Sequence, residues 1–516
     1  MKKYYPIDLS LRSRDYFLNT NTKFLNEIDS DYFTKFQNEI IGSLIKTSIN
    51  DKIIRSIIWD ITNDISKILY IYYKIHKLKE LDYIPIYEKD LNPLFNLIYT
   101  KQRPNFDIVK NIFNKKKYDQ FSFYNFVKYK FKNFYSRKKQ NITFMHNDLM
   151  NKYIDHNSIS ITNIDLHKLN TFKKIYNINE NYKGIVDHLV SNFSELIKEK
   201  VVIDDNLILN KILKYSIKNN LLNLINFQNY IDTNKSILKY EQFLSGSPKY
   251  WGRILSYNYI LHNKKTYRFA HSLDRVFFDD NLFKYSEYLF CDTYFFTSNK
   301  ASYDAKKLLK KIDNFDIFKN INLKSFKNKT FNKTYYKNKN INKIEKNILY
   351  ISSTYLSEKN LSYSNDRIDM IQYFEYQEWL LKKITNLGFN ITFKQHPKSY
   401  TAIQNQSFKS FGQNNLKGIH FDDLLNYSVC IFDYAGSLLF DIMAKECGIV
   451  FIDFKIRNWN NFNKDIFKQR CKTVEAFKNS KNYYRVDENL LLNSLEDARN
   501  NKHEDTNFFI NYLNDK

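Results

Sequence analysis

An α/β fold is predicted by this sequence: parallel sheets covered by helices, preceded by a mainly helical N-terminal region. Three observations predict it. Apolar residues recur at three- and four-residue spacing through 53–78 and again around 106–134, as amphipathic helices require. From about residue 140, short β-rich runs such as "NITFMHN" (141–147) and "SISITNI" (158–164) alternate with helical segments. Beyond 346 strand and helix alternate regularly with buried-looking strands, which implies a parallel sheet covered on both faces. At 516 residues the chain is too long for one core, so more than one domain is expected.

Residues 1–135 read as the helical region, with "YIPIY" (83–87) as a short strand. Residues 136–313 read as a first α/β domain. Helices are expected at 184–199 and 205–227, and "FLSGSPKYWGRILSYNYILHNKK" (243–265) reads as a small-residue turn feeding a helix. The strand "TYRFAHS" (266–272), the β run "YLFCDTYFFTS" (288–298) and a helix over 300–311 follow. Residues 314–345 are rich in Lys and Asn with a weak apolar pattern, the composition of a linker.

Residues 346–516 form the second α/β domain. It opens with the strand "NILYISS" (347–353) and a helix over 366–387, closed by Gly388 just past its end. The strand "NITFKQHP" (390–397) and a short helix over 421–428 come next. "VCIFDYAGS" (429–437) reads as strand and turn, "LLFDIMAKECG" (438–448) as helix and "IVFIDF" (449–454) as strand.

The 80 Lys and Arg against 55 Asp and Glu leave a formal charge of +25, a surface that favours anions: nucleic acid, acidic lipid head groups or nucleotide-linked substrates. The abundant Lys, Asn, Ile, Tyr and Phe are also the residues an AT-rich genome favours, so their number alone says little about chemistry. The lysines are spread along the chain, and neither zinc-finger spacing nor the signature of an RNA-binding sheet occurs, so nucleic acid is not expected as the partner. Cys291, Cys430, Cys447 and Cys471 share no CxxC spacing and read as reduced thiols of a cytoplasmic protein. No secretory signal is read at the N-terminus. The longest apolar stretch, 53–73, is broken by Arg55, Asp60, Asp64 and Lys67, so a soluble protein is expected. Its basic surface is suited to peripheral contact with the inner face of an anionic membrane.

In parallel α/β sheets, ligands bind at the carboxyl ends of the strands. Lys394, His396 and Pro397 lie at one such end; Asp433, Tyr434, Gly436 and Ser437 lie at another and lead into the helix at 438. A helix N-terminus offers free N–H groups and partial positive charge, Gly436 allows close approach, and Ser437 adds a hydroxyl. With a lysine and a histidine beside it, the pair of strand ends makes a diphosphate cradle that needs no metal. Each motif also has a structural reading: His-Pro is common after strands, Ser437 can serve as an N-cap, and Asp433 can cap a turn. Both motifs in one domain, in order and at matching strand ends, favour the ligand site.

The stretch from about 243 to 455 resembles the bacterial surface-carbohydrate and capsule glycosyltransferases of the GT-B type, in which two Rossmann-like domains face each other across a cleft. It is more distantly similar to the CDP-glycerol glycerophosphotransferases. The resemblance rests on "LSGSPKYWGRILSYNYILHNKKTYRFAHS", "YLFCDTYFFTSNKASYDAKKLLKK", "NILYISS", "ITFKQHP" and "FDYAGSLLFDIMAKECGIVFID", which cover somewhat under half the chain. Ser272 stands where the family has a glycine after the first-domain histidine, and "KQHP" replaces a "KPHP"-like form.

The resemblance implies that residues 136–313 are the acceptor-side domain and residues 346–516 the nucleotide-sugar-binding domain. It also implies transfer of a sugar from a nucleotide-activated donor to a growing glycan or lipid-linked acceptor. Lys394, His396, Ser437 and the N–H groups after Gly436 would stabilise the departing phosphate. His271 or Asp274 would face the cleft as general base. No cofactor beyond the donor is implied, and no D-x-D pair occupies a convincing strand end. Two other readings stand beside this one: a glycerophosphate or polyol-phosphate transferase with a CDP-linked donor, and a non-catalytic basic protein that binds nucleic acid or anionic polymer.

Overall fold

The computed structural model describes residues 3–7, 16–17, 20, 22–25, 28–48, 52–87, 89, 92–114, 141–159, 161–163, 178–233, 235–246, 250–279, 281–312, 315–318, 320–326, 347–353, 368, 370–396 and 427–514. The N-terminal region comprises β1 (Lys3–Pro6), α1 (Ser30–Thr47), α2 (Ile58–Glu80), β2 (Tyr83–Ile86), α3 (Pro93–Tyr99) and α4 (Phe106–Asn114). Strands β1 and β2 pair in parallel as a small ribbon. Along α2 the buried residues Ile58, Ile61, Ile65, Ile68, Leu69, Tyr72 and Ile75 recur at helical spacing, the mark of a face packed against a core.

The first sheet is carried by β3 (Asn141–Phe144), α5 (Asp148–His156), β4 (Ile161–Asn163), α6 (Glu180–Lys198), α7 (Asn206–Thr233), β5 (Gln242–Ser245), α8 (Tyr250–Leu261), β6 (Lys265–Phe269), α9 (Asp274–Phe277), α10 (Asn281–Glu287), β7 (Thr293–Phe296), α11 (Asn299–Leu309) and β8 (Asn322–Ser325). Its order is β4-β3-β5-β6-β7-β8 with every pair parallel. The N-terminal helices share its core. Polar ties hold them there: Asp60 of α2 takes Arg253 of α8 at 2.5 Å, and buried Asp64 accepts from Asn220 of α7 at 2.8 Å. A buried carboxylate must find such partners, because its desolvation is costly.

The second sheet is carried by β9 (Asn347–Ile351), α12 (Met370–Asn386), β10 (Asn390–Lys394), β11 (Val429–Phe432), α13 (Ser437–Met443), β12 (Gly448–Asp453), α14 (Lys464–Arg470), β13 (Lys472–Lys478), β14 (Tyr484–Val486), α15 (Glu488–Asn500) and α16 (Lys502–Asn514). Its order is β10-β9-β11-β12-β13-β14, parallel up to β13, with β14 returning antiparallel. Strands β11 and β12 are buried at every position, as expected when helices cover both faces. The four cysteines are buried free thiols.

The two sheets repeat one plan. Each starts on an inner strand, steps to the edge, crosses back over the first strand and then proceeds outward. The order therefore reverses between β3 and β5 in one sheet and between β9 and β11 in the other. At the first reversal the backbones crowd together: a Cβ on Gly246 would meet Met145 O at 2.6 Å and Asn147 N at 2.7 Å. Backbone atoms cannot yield cheaply, so Gly246→Ala is expected to cost about 1–3 kcal/mol, read as a lower urea midpoint with unchanged slope.

Two sequence expectations are corrected. Residues 243–245, placed in a small-residue turn, belong to the central strand β5. Residues 322–325, placed in the linker, form β8, the edge of the first sheet. Residues 327–346 of the expected linker, and nearly all of the helix expected at 421–428, lie outside the described residues. Among the described residues no helix is long and apolar enough to cross a membrane.

Candidate functional site

Strand register determines which residues share the carboxyl edge of the second sheet. Lys394 closes β10 opposite Ile351 of β9, and Ile351 also pairs with Phe432 of β11. Only β9 separates the two motifs, and two strand spacings amount to about 10 Å. His396, two residues past Lys394, and the 433–437 turn therefore leave the same edge and flank the point where the strand order reverses. This is the position at which doubly wound sheets hold ligands.

Lys394 is half-buried, and burial lowers the pKa of its amine. Its carbonyl accepts from Ser352 N at 3.1 Å, which ties β10 to the end of β9. His396 is half-buried. Pro397 lies outside the described residues.

Asp433 departs from expectation. It was placed among the phosphate-binding residues, yet its carboxyl is buried and accepts from three donors: Tyr350 OH of β9, Tyr373 OH of α12 at 2.8 Å, and Ser353 N at 3.3 Å. Burial pushes its pKa up to about 6, against the lowering effect of those hydrogen bonds. An anionic carboxylate held there would repel phosphate. Asp433 instead clamps the ends of β9 and β11 and the first turn of α12 into one unit, and so shapes the edge.

Tyr434 and Gly436 are half-buried, and Gly436 N donates to Tyr434 O at 3.0 Å. Gly436 is the N-cap of the seven-residue α13, in extended backbone and with no side-chain cap bond. Its Cβ position meets only the Tyr434 ring, at 3.4 Å, so neither backbone conformation nor a backbone neighbour demands glycine. Ser437 is the first helical residue rather than the cap, which removes the capping role considered for it.

The opposite wall comes from the carboxyl edge of the first sheet. His271 follows β6 and is exposed. Asp274, three residues on, was expected to be a candidate base, but two guanidinium groups occupy it: Arg275 at 2.6 Å and Arg457 at 3.6 Å. Arg275 is itself held by Glu287 at 2.7 Å. The Asp274 carboxylate is taken up by these guanidinium groups, and the structure gives Asp274 the role of holding arginines instead.

Arg457 escaped the sequence reading. It follows β12, donates to Ala435 O at 3.1 Å, and its guanidinium lies 3.7 Å from the centre of the Phe278 ring. It thus touches the 433–437 turn, Asp274 and Phe278 together, and its position just past a strand's carboxyl end was the available signal. The two edges are joined further by the bridge between Phe278 and Trp459, by Asn460 N to Phe277 O at 2.8 Å, and by Asn463 Nδ2 to Val276 O at 2.7 Å.

The reversal point of the first sheet belongs to the same region. Asn147 caps α5 and donates to Gly246 O at 2.9 Å and Phe269 O at 3.0 Å. His146 sits between Asn151 Oδ1 at 2.7 Å and Thr143 Oγ1 at 3.0 Å. From the second sheet, Asp441 of α13 lies within electrostatic reach of Asp148 of α5. Its carboxyl meets solvent but is closely crowded, and that desolvation, with Asp148 adding to it, pushes its pKa up to about 6. Among the described residues no group of three His, Cys, Asp or Glu side chains is placed to hold a metal ion. Scanned against models of known protein families the chain matches none, and no curated protein matches it either.

Proposed function

We propose that the chain is a GT-B-like glycosyltransferase that moves a sugar from a nucleotide-activated donor to a growing surface polysaccharide. The observation that carries this reading is the shared carboxyl edge: Lys394 and His396 on one side of the β9–β11 reversal, the 433–437 turn on the other, and the first sheet's edge loops opposite. In this reading the donor diphosphate lies across the end of β9. The acceptor hydroxyl attacks the donor's anomeric carbon, the bond from that carbon to the phosphate oxygen breaks, and negative charge grows on the departing phosphate. Lys394, His396 and the Ser437 hydroxyl stabilise that charge, and fixed donors cost no reorganisation at the moment of reaction. His271, solvent-accessible on the facing edge, takes the acceptor proton. The reaction as proposed needs no metal.

A thermal-shift panel of CMP, CDP, UDP and ADP tests the reading. One nucleotide is expected to raise Tm by several degrees at saturation, since a ligand at about a hundred times its Kd adds about 2.7 kcal/mol. Ser437→Ala is expected to shrink that shift while leaving the ligand-free Tm within about a degree or two, because Ser437 is half-buried, makes no cap bond, and alanine suits a first helical position. No response to any nucleotide would defeat the proposal. A CDP response accompanied by release of CMP from CDP-glycerol would redirect it to polyol-phosphate transfer.

A further inference from the structure

At the outer end of the first sheet, the same carboxyl edge opens into a groove of about 340 Å³ between α11 and β8. It is lined by Asn299, Ser302, Tyr303, Lys306, Lys324 and Ser325, with Leu323 at its base. The charge around it is one-sided. Helix α11 and its C-terminal turn carry Lys300, Lys306, Lys307, Lys310 and Lys311. The helix's only acidic residue, Asp304, is buried, accepts from Tyr512 OH at 2.6 Å and pairs with Lys300 at 4.0 Å, which leaves Lys306, Lys307, Lys310 and Lys311 without a carboxylate from their own helix.

Two exposed aromatic rings accompany these lysines: Tyr303, in the groove's lining, at 52% and Phe462, outside it, at 42% exposure. Lysine heads lie over both: Lys307 is 4.6 Å from the centre of Tyr303, and Lys311 is 3.9 Å from that of Phe462. Rings held beneath ammonium groups form a flat, charged platform rather than a protruding apolar wedge. The part of the Tyr303 ring that Lys307 leaves open offers apolar surface to the C–H face of a pyranose, and carboxylates or phosphates carried by the sugar pair with the lysines.

We infer that this groove binds an acidic glycan, a chain of sugars bearing carboxylate or phosphate groups, and presents it along the edge toward the cleft. Resting on the proposed transferase reading, the inference gives the acceptor its chemical class. The polar lining distinguishes such a ligand from a lipid surface, whose acyl region needs apolar side chains to enter it.

The test uses the full chain and short oligogalacturonates as the probe, with neutral maltooligosaccharides of equal length and phosphatidylglycerol vesicles as comparisons. Lys306 and Lys324 are exposed, so the double variant Lys306→Ala/Lys324→Ala keeps the fold. Loss of two surface ion pairs is expected to weaken oligogalacturonate binding about fivefold to tenfold. Binding is also expected to fall as salt rises and to weaken with Tyr303→Ala, and the neutral sugars are expected to bind far less. Unchanged affinity in the double variant, or equal binding of neutral sugars, overturns the inference. So does a double variant that loses vesicle binding while keeping oligogalacturonate binding, which would make the surface a membrane contact. Nucleotide-induced Tm shifts measured on the same samples separate the two claims. Glycan binding without any nucleotide response removes the transferase reading alone, whereas a nucleotide response without glycan binding removes the groove alone.

Discussion

Replacing His396 with alanine is expected to lower transfer turnover by about 10²–10³-fold, the usual cost of removing one prearranged donor from a developing negative charge. His396 is half-buried on the carboxyl edge, beyond the last pairing of β10, so the sheet does not depend on it. Tm is expected to stay within a few degrees, as for substitutions outside the core. The informative comparison is kcat against KM. If the imidazole meets charge that grows in the transition state, kcat falls and KM changes little. A variant with undiminished kcat would mean that the departing phosphate leaves by another route and that the cradle does not exist.

The second large effect concerns stability. The folded-state pKa of Asp433 is raised from 3.8 to about 6, so between those values the folded protein holds a proton that the unfolded chain has released. Stability from this group is fully present below the unfolded value and is lost as pH rises through about 6, an amount near 3 kcal/mol at 1.36 kcal/mol per unit. Asp433→Asn cannot ionise and lacks this loss. Urea unfolding of both proteins at about pH 4 and about pH 7 is expected to show wild-type stability falling by about 2 kcal/mol more than the variant's, since part of the loss is already complete at pH 4. Parallel pH dependence in the two proteins would show that the tyrosine clamp does not hold a protonated carboxyl. Other carboxylates titrate over the same range, and the difference between the two proteins cancels them.

Much of the architecture was legible from periodicity alone. The apolar runs of 347–353, 429–432 and 449–454 appear as buried parallel strands within a residue or two of their expected bounds. What escaped were elements whose residues carry no local signature. The central strand β5 is only "QFLS", and its serine is buried through pairing with β3 and β6, which its neighbours in sequence do not reveal. Edge strand β8 reads "NLKS", with only Leu323 fully buried, so its composition is that of a linker.

The site followed the same rule. Strand ends were readable, which located Lys394, His396 and the 433–437 turn. The fate of Asp433 depended on Tyr350 and Tyr373, 83 and 60 residues away in sequence, and no spacing pattern reports such a convergence. Asp274 reads as a base in isolation and as an arginine partner only once Arg457 is folded against it.

Helix α16 has a consequence for biosynthesis. Tyr512 of α16 reaches back to Asp304 of α11, and Phe509 and Tyr512 pack around Phe277, so residues made some 200 positions after α11 complete the joint between the sheets. The first sheet can assemble while translation continues, but its junction surface stays uncovered until α16 has been made. Such delayed, long-range closure folds slowly and exposes apolar surface meanwhile. A nascent chain halted before α16 would present Phe277 to the solvent and be the form most prone to aggregate.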